Sequence, residues 1–232
     1  MTSDSRSRIL ASIRRSLTAA RHLPEAQSVA LTAQPLTPDP QSLIDRFANE
    51  LRSLSGTFLT VASADVPALV AALMDERKAT TLLAWDQAHL PVPGVLDYLK
   101  EEGLMVVEAN LPHEEPARSQ QLAAVEKVTI GLTGADAVLA DTGTLALRSG
   151  PGRPRLASLS VRTHIALFTP NQLYPSWAAW WENLPDKAGW VSEASRSSSV
   201  TLISGPSRTA DIEMTLTVGV HGPGELIAIL CD

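Results

Sequence analysis

The sequence predicts an α/β domain built around a mainly parallel sheet that helices cover on both faces. Over residues 41–126, short apolar segments of strand length alternate with segments of helical periodicity. This alternation is typical of βαβ units, whose crossovers place neighbouring strands parallel. The 232 residues are enough to bury a large core, and 44% of them are hydrophobic. No run of about eighteen apolar residues is present, so we expect no membrane span.

The first forty residues are expected to form a basic helix and a linker. Apolar residues recur with helical spacing and arginines lie between them, which predicts a basic amphipathic helix. These residues are Ile9, Leu10, Ile13 and Leu17, with Arg6, Arg8, Arg14 and Arg15. Residues 22–40 lose the periodicity and contain four prolines, as linkers do. We therefore assign residues 1–40 to helix and linker and 41–232 to the α/β domain. The helix is expected to dock onto a partner or a second copy of the chain.

Hydrophobic periodicity assigns the remaining elements in order. The predicted helices cover residues 43–54, 66–75, 95–102 and 115–126, followed by a segment with Trp177, Trp180 and Trp181 at helical spacing. The predicted strands cover residues 57–61, 81–85, 104–107, 128–131, 137–140, 144–148, 165–169, 200–204 and 226–230. The tryptophans are expected to form a core face, with a partner surface as the alternative. A polar loop is expected over residues 193–199.

Composition limits the location and the class of partner. The formal net charge of −6 argues against a nucleic-acid surface. Cys231 is the single cysteine, so this chain alone cannot form an internal disulfide or hold an iron–sulfur cluster, and a reducing compartment is favoured. Since no segment typical of a secretory signal follows the first residues, we expect a cytoplasmic protein. The arginine-rich start also resembles a transit peptide, but its helical spacing favours the amphipathic helix.

The segment over residues 131–145 is the first candidate site. It carries carboxylates, hydroxyls and glycines between apolar strands: Thr133, Asp136, Asp141, Thr142, Gly143 and Thr144. Gly143 permits close approach of the backbone to a ligand, and Asp141 is a candidate catalytic residue. The alternative is a hairpin turn in which Asp141 bonds its own backbone. Asp141-Thr-Gly also matches the catalytic tripeptide of aspartic proteases, but the single copy and the βαβ pattern argue against such an enzyme.

The segment over residues 204–213 is the second candidate site. It follows a predicted strand and is expected to open a helix. Either Gly205 is the N-cap with Pro206 at the first helical position, or Ser207 is the N-cap. Free backbone N–H groups, the hydroxyls of Ser204 and Ser207, and the guanidinium of Arg208 would then suit a carboxylate or phosphate. The alternative is a capped turn in which Arg208 pairs with Asp211 or Glu213.

Two glycine-rich turns complete the candidates. His221 and Gly222 lie in a turn before the last strand, where His221 could act as a general base or bond a ligand. A lone histidine in a turn is more often structural, and no metal partner is spaced with it, so we predict no metal site. Arg153 lies in the other turn, either as a second anion contact or as a solvated cation. Because ligands bind at the carboxyl ends of parallel strands, we expect these loops to gather at one edge of the sheet.

The three segments together identify a resemblance. Residues 131–145, the run Ser-Gly-Pro-Ser-Arg-Thr-Ala-Asp over 204–211, and Gly-Val-His-Gly-Pro over 219–223 resemble the lactate-utilisation protein C family, the LUD-domain family. The match is strongest from residue 128 onward. The resemblance implies a three-layer α/β/α domain like that of the sugar-phosphate isomerase and CoA-transferase superfamily. It also implies a role in oxidising L-lactate to pyruvate together with two iron–sulfur partner proteins.

Two functions follow as hypotheses. Lactate oxidation needs an electron acceptor, and the sequence offers neither a cysteine cluster nor a phosphate-binding or dinucleotide-binding glycine motif. The first hypothesis is therefore an accessory subunit, without a cofactor of its own, that binds a small anion and iron–sulfur partners, with a homo-oligomer left open. The second is an independent CoA-transferase-like or isomerase-like enzyme acting on a phosphorylated or CoA-linked acid, with Asp141 as nucleophile or base and Arg208 as anion clamp.

Overall fold

The computed structural model describes residues 3–20, 39–109, 111–184, 189, 197, 199–210 and 216–232. The chain divides into two compact units, Met1–Gln34 and Pro35–Asp232. The first unit contains helix α1 (Ser3–Ala20), which confirms the predicted N-terminal helix. The predicted linker lies almost entirely outside the described residues, as does most of the predicted polar loop. None of the described helices is long and apolar enough to cross a membrane.

The second unit contains the helices of the α/β domain. They are α2 (Pro40–Ser53), α3 (Val66–Glu76), α4 (Val95–Glu101), α5 (Ala117–Val125), α6 (Leu156–Leu159) and α7 (Trp177–Asn183). Polar side chains cap the N-termini of two of these helices, α2 and α7. The Asp39 carboxylate accepts a hydrogen bond of 3.3 Å from the backbone N–H of Ser42, and the Ser176 hydroxyl accepts one of 3.2 Å from Ala179. Each cap satisfies a backbone donor that the first turn leaves free.

The strands of the described residues form three sheets. They are β1 (Thr57–Val61), β2 (Thr81–Ala84), β3 (Met105–Val106), β4 (Ile130–Thr133), β5 (Ala137–Leu139), β6 (Thr144–Ser149), β7 (Thr163–Phe168), β8 (Leu173–Tyr174), β9 (Ser199–Ile203), β10 (Arg208–Ala210), β11 (Leu216–Val218) and β12 (Glu225–Cys231). The main sheet has six parallel strands in the order β1-β12-β7-β4-β2-β3. A four-stranded sheet has the order β8-β5-β6-β9, and β10 pairs with β11 in a hairpin.

The main sheet is buried at its centre. Every residue of β4 and β7 is buried, and strands covered on both faces read as continuous apolar runs because neither face meets water. Helix α2 packs Phe47 edge-on against Phe58 of β1 and Phe168 of β7, with ring centroids 5.7 and 5.5 Å apart. Helix α6 packs so closely on β4 that a Cβ at Gly131 would lie 1.7 Å from the carbonyl oxygen of Ala157. The predicted α/β fold with a mostly parallel sheet is confirmed.

One local prediction is wrong. Gly205 and Pro206 form a bend, and Arg208–Ala210 form strand β10, so the segment does not open a helix. Gly205 has a φ of +146°, which lies outside the helical region. Proline and glycine fit a bend as well as a helix start, and pairing of β10 with β11 requires an extended chain here. The expected convergence of helical N–H groups on an anion is therefore absent.

Candidate functional site

A cluster of charged side chains lies at the carboxyl edge of the main sheet. Strand β2 ends at Ala84 and continues through Trp85 and Asp86 into a short 3₁₀ turn that ends at His89. Its neighbour β4 ends at Thr133, and Asp136 follows three residues later. Because the two strands are parallel neighbours, the segments that leave them emerge side by side.

Asp136 is the centre of this cluster. Its carboxylate accepts hydrogen bonds from the backbone N–H of Arg148 (2.7 Å), from Nε of Arg148 (2.9 Å) and from Nη1 of Arg153 (3.0 Å). The side chain of Asp136 is 10% exposed, and those of the two arginines are 13% and 24% exposed. The β5–β6 pairing brings Asp136 beside Arg148, since the Asp136 N–H donates to the carbonyl of Ala146. Two guanidinium groups thus share one mostly buried carboxylate.

The position of Arg153 is fixed by a turn and an aromatic ring. Gly150 and Arg153 exchange backbone hydrogen bonds of 3.1 and 2.9 Å, which confirms the predicted turn. The guanidinium carbon lies 5.6 Å from the ring centroid of Trp85, within the range of a cation–π interaction. The carboxylate of Asp136 and the face of Trp85 therefore hold Arg153 in place. One of its several N–H donors is used by Asp136, and the rest have no bond among the described residues.

A cavity of about 400 Å³ opens beside this cluster. Among the described residues it is lined by His89, Arg148, Ser149, Gly150, Pro151, Arg153 and Ser197. Burial, followed by repulsion from Arg153, lowers the pKa of His89 below its usual value, although Asp86, the carbonyl of Pro151 and Asp136 act in the opposite direction. His89 is therefore mainly a neutral imidazole at pH 7, and the cavity wall presents guanidinium donors beside it.

Gly152 keeps the space in front of this histidine open. Its φ is +69°, and a Cβ there would lie 2.7 Å from Oδ2 of Asp86 and 3.0 Å from Nε2 of His89. Any other residue would crowd both side chains and would also strain the backbone. No cluster of three or more His, Cys, Asp or Glu side chains that could hold a metal ion occurs within the described ranges. The arrangement of donors instead suits a small anion.

The turn between β5 and β6 is a second, separate region. Asp141, Thr142 and Gly143 form the hairpin turn of the alternative prediction, but the carboxylate of Asp141 accepts from the Thr142 hydroxyl at 3.3 Å and, within the described residues, not from the backbone. The Thr144 hydroxyl lies 2.8 Å from that of Thr142 and 2.7 Å from that of Ser204. Gly143 has a φ of +60°, and a Cβ there would lie 2.6 Å from the backbone nitrogen of Leu51 in α2. The glycine is thus required for packing against α2.

Arg208 and Gly205 also lie against the end of α2. Arg208 donates from Nη2 to the carbonyl of Leu54 and, at 2.8 Å, to the hydroxyl of Ser55. A Cβ at Gly205 would lie 3.1 Å from the carbonyl oxygen of Leu54. Cations at the carboxyl end of a helix satisfy its free carbonyls and interact favourably with its dipole. Arg208 therefore has a structural partner, and the predicted alternative pairing with Asp211 or Glu213 lies outside the described residues.

His221 and Gly222 lie at the amino edge of the main sheet. The loop that contains them leads into β12 at Glu225, and Ser207 donates its N–H to the carbonyl of Pro223 at 2.7 Å. His221 is exposed and lines a cavity of about 640 Å³ with Arg162 and the glycines of the loop. The three predicted segments do adjoin, through Thr144 and Ser207, but the expectation that they gather at one carboxyl edge is wrong. The glycine-rich loop precedes strand β12 of the main sheet, so it lies at the amino end of that strand and not at a carboxyl end.

Thr133 is not available to a ligand. It is fully buried, and its hydroxyl lies 2.8 Å from Nε2 of His164 in β7. His164 is also fully buried, and its Nδ1 has no partner among the described residues. Burial lowers the pKa of His164 to about 3. Of the three tryptophans predicted to form a core face, Trp180 is buried against Ala137, Leu139 and Ala146, and Trp177 packs against this cluster while partly buried.

The cavity of about 400 Å³ at the carboxyl edge and the charged cluster beside it contain residues that the sequence predicted and residues that it missed. The sequence indicated Asp136 and Arg153, although in different segments, and it missed Asp86, His89 and Arg148. A signal for two of these exists, because Asp86 and His89 directly follow the predicted strand over residues 81–85. Polar residues after a buried parallel strand are candidates for ligand contact, and that rule applied here would have found them. Arg148 lies within a strand and carries no such signal.

Comparison with known proteins gives the family. The LUD domain model matches residues 44–231. Lactate utilization protein C of Halalkalibacterium halodurans is 36% identical over 151 residues, which are 65% of this chain and 62% of that protein. The protein of the same name from Shouchella clausii is 30% identical over 175 residues, which are 75% of this chain and 72% of that protein. The match thus covers less than two thirds of the first relative.

A solved structure supports the fold. The crystal structure of a DUF162 family protein from Deinococcus radiodurans has a TM-score of 0.56 and 18% sequence identity, and the alignment covers 84% of this chain and 99% of that one. At this identity the likeness concerns the fold alone. Together with the match of the family model over residues 44–231, these relatives confirm the resemblance found in the sequence, and the chain belongs to the LUD domain family.

Proposed function

We propose that this protein serves lactate utilisation as an accessory subunit that binds a small carboxylate in the carboxyl-edge cavity. The cavity is the space of about 400 Å³ lined by His89, Arg148 and Arg153. The relatives named lactate utilization protein C support the metabolic role. In this proposal the acid oxidised is L-lactate, the product is pyruvate, and the electrons pass to iron–sulfur partner proteins.

The shared use of Asp136 by two arginines is the observation that carries the proposal. Asp136 neutralises one of the two guanidinium charges and fixes both groups through bonds of 2.9 and 3.0 Å. Among the described residues Asp86 is a second carboxylate near the cavity, but it is exposed, so water screens it. Arg153 retains planar N–H donors of the kind that bind carboxylates in two-point fashion. A small carboxylate can therefore bind without displacing the internal pair.

The family resemblance implies the iron–sulfur partners, and the cysteine content of the chain supports placing the clusters in those partners. Iron–sulfur clusters are held mainly by several cysteine thiolates, and this sequence has one cysteine. Cys231 is 2% exposed, and burial raises its pKa to about 11, so its thiol stays protonated at neutral pH. A buried, protonated thiol is a poor metal ligand. We therefore assign the electron-transfer chemistry to partner proteins.

Calorimetric titration with L-lactate tests the binding part. The expected result is one site per chain whose affinity falls at least about tenfold in Arg153→Met, because a bidentate carboxylate contact is lost. Arg208→Met is the matched control, since it removes the same group from the amino side of the sheet, and its affinity should equal that of the unaltered protein. Loss of binding in Arg208→Met but not in Arg153→Met would contradict the proposal.

Affinity capture tests the partner part. The tagged full chain should co-purify proteins that contain iron and acid-labile sulfide, and Ile13→Asp with Leu17→Asp should abolish this by placing charge on the apolar stripe of α1. Ser12→Asp with Ser16→Asp adds equal charge between the stripe residues of the helix and should retain capture. A chain that stays alone when iron–sulfur proteins are present would contradict the subunit role.

The same protein preparation tests the enzyme alternative. An independent enzyme predicts turnover of a CoA-linked or phosphorylated acid that Asp141→Asn abolishes while the fold survives. Asp141 contacts the Thr142 hydroxyl in the hairpin turn, and Arg208 contacts the end of α2. Asp141 and Arg208 are therefore bound to separate structural partners and not to each other. This arrangement favours the accessory subunit over an enzyme that uses the two residues together.

A further inference from the structure

A second cavity lies at the amino edge of the main sheet, away from the proposed carboxylate site. Its volume is about 640 Å³. Among the described residues it is lined by residues 159–162 and by most of the glycine-rich loop over residues 219–224. These two segments lead directly into β7 and β12, which are parallel neighbours in the sheet. We call this space the amino-edge cavity.

Hydrogen bonds fix both ends of the glycine-rich loop. The N–H of Gly219 donates to the carbonyl of Ser207 at 2.9 Å, and the N–H of Ser207 donates to that of Pro223 at 2.7 Å. Just after the loop, the N–H of Glu225 donates to the carbonyl of Arg162 at 3.1 Å. Gly219 has a φ of +77°, and a Cβ there would lie 3.2 Å from a backbone carbon at the other end of the loop. The loop therefore closes tightly on itself, as only glycine permits at this position.

The N–H groups inside the loop are left for a ligand. Those of Val220, His221, Gly222 and Gly224 donate to no atom within the described part of the chain. Successive backbone N–H groups in a tight turn form a concave site with partial positive charge, which suits an anion. Glycine leaves room for an anion to approach such groups closely. The loop thus combines fixed ends with several unused donors.

Arg162 adds a full positive charge to this cavity. Its side chain is exposed and has no hydrogen bond or ion pair with the residues that the structure describes. His221 contributes a further ring N–H donor. Glu225 is the carboxylate next to the loop, but Arg77 binds it through bonds of 2.6 and 2.9 Å and Thr163 donates to it at 2.8 Å. Because that charge is already compensated, the donors of the cavity meet no competing carboxylate there.

We propose that the amino-edge cavity binds the phosphate group of a soluble phosphate monoester. Such a group presents three strong acceptor oxygens, which several backbone N–H groups and a guanidinium can satisfy together. A phosphate group fills only part of about 640 Å³, so the cavity also admits the organic group of the ester. The formal net charge of −6 opposes approach to an anionic lipid surface, which favours a soluble ligand. This site is independent of the proposed carboxylate site.

Amide NMR of the full chain tests the site, with inorganic phosphate and glycerol 3-phosphate as the probes. The amide resonances of residues 220–222 should shift and saturate together with either probe. The affinity should fall at least about tenfold in Arg162→Met, because a charged contact is lost, and about threefold in His221→Leu. Arg155→Met is the matched control. Arg155 is an exposed arginine at the start of α6 that does not line the cavity, so its loss should leave the affinity unchanged.

Three results would overturn the proposal. The first is an equal affinity for phosphate in Arg162→Met and Arg155→Met. The second is a saturable shift of the amides around Arg153 with none in the glycine-rich loop, because the anion would then bind in the carboxyl-edge cavity. The third is the absence of a saturable shift with either probe. Tighter binding to vesicles that contain phosphatidic acid than to glycerol 3-phosphate would contradict the assignment of a soluble ligand.

Discussion

Arg153 and Arg208 were both expected to bind an anion, but they have different partners in the structure. Arg153 bonds the carboxylate of Asp136, lies over Trp85 and lines a cavity. Arg208 donates to the carbonyl of Leu54 and the hydroxyl of Ser55 at the end of α2. The guanidinium of Arg153 is held by the Asp136 carboxylate and keeps further N–H donors for a ligand at the carboxyl edge. The guanidinium of Arg208 caps the end of helix α2. The comparison shows that the partner of an arginine, and not its neighbours in sequence, decides whether it can serve a ligand.

The largest expected difference between the two regions is in stability. Asp136→Ala removes the shared carboxylate and leaves two mostly buried guanidinium groups without it, which should lower the free energy of unfolding by roughly 3 to 5 kcal/mol. Asp141→Ala makes the same change in the hairpin turn, where the Thr142 hydroxyl is the one donor to the carboxylate that the described residues supply, and should cost about 1 kcal/mol or less. Urea denaturation measures both values. Equal losses would show that Asp136 is no more important structurally than a turn residue.

The buried histidine in strand β7 of the main sheet, His164, should control stability in mild acid. The pKa of His164 is lowered by burial to about 3, so protonation favours the unfolded chain below about pH 6.5. The stabilisation is complete above that value and is lost as the pH falls toward 3. Between pH 6.5 and pH 5 the free energy of unfolding should fall by about 2 kcal/mol. In His164→Leu this slope should disappear, and an unchanged slope would contradict the assignment.

At lower pH a second group contributes in the same direction. The bond with Arg77 lowers the pKa of Glu225, so its contribution to stability is present above its unfolded pKa and is lost as the pH falls through the folded one. Binding measurements are therefore best made above pH 5, where loss of fold cannot be mistaken for loss of affinity.

Substitution of two glycines with similar φ angles separates an effect on ligand binding from an effect on stability. Gly152→Ala and Gly94→Ala both place a side chain at a positive φ, of +69° and +74°, and each should cost about 1 kcal/mol of stability. Only the Cβ at Gly152 meets Asp86 and His89, because nothing lies within 4 Å of one at Gly94. L-lactate affinity should fall about tenfold in Gly152→Ala alone. Equal affinities in the two variants would argue that the ligand binds elsewhere.

The smallest expected effect concerns the helix cap. Arg208→Met removes two hydrogen bonds at an exposed position and should lower the free energy of unfolding by no more than about 1 kcal/mol. Ser55→Ala, which removes one of the two acceptors, should lower it by less. Thermal denaturation of both variants checks the order. A loss as large as that of Asp136→Ala would mean that Arg208 is part of a second buried charge cluster.

The elements with a strong pattern were predictable, and the contacts between them were not. Strand β1 was predicted at its exact residues because Thr57–Val61 is bounded by Gly56 and polar residues. Strand β8 and helix α6 were missed because segments of two and four residues carry no periodicity. The expected helix at residue 204 failed because proline and glycine also favour a bend.

The site was predictable only in part, for a related reason. Asp136 and Arg153 were each indicated by a local motif, but their pairing depends on the β5–β6 register, which the sequence does not state. His89 has no motif of its own and becomes significant through the turn that holds Gly152 and Pro151 against it. Thr133 looked accessible because its partner, His164, lies thirty-one positions away in the chain.

The location of a bound acid tests the central claim most directly. Crystals of the full chain grown or soaked with L-lactate should show the carboxylate about 3 Å from the guanidinium of Arg153, inside the cavity that His89 and Arg148 also line. The turn with Ser204 and Arg208 should show no ligand in the same crystals. Density for the acid at that turn, with none in the carboxyl-edge cavity, would contradict the account.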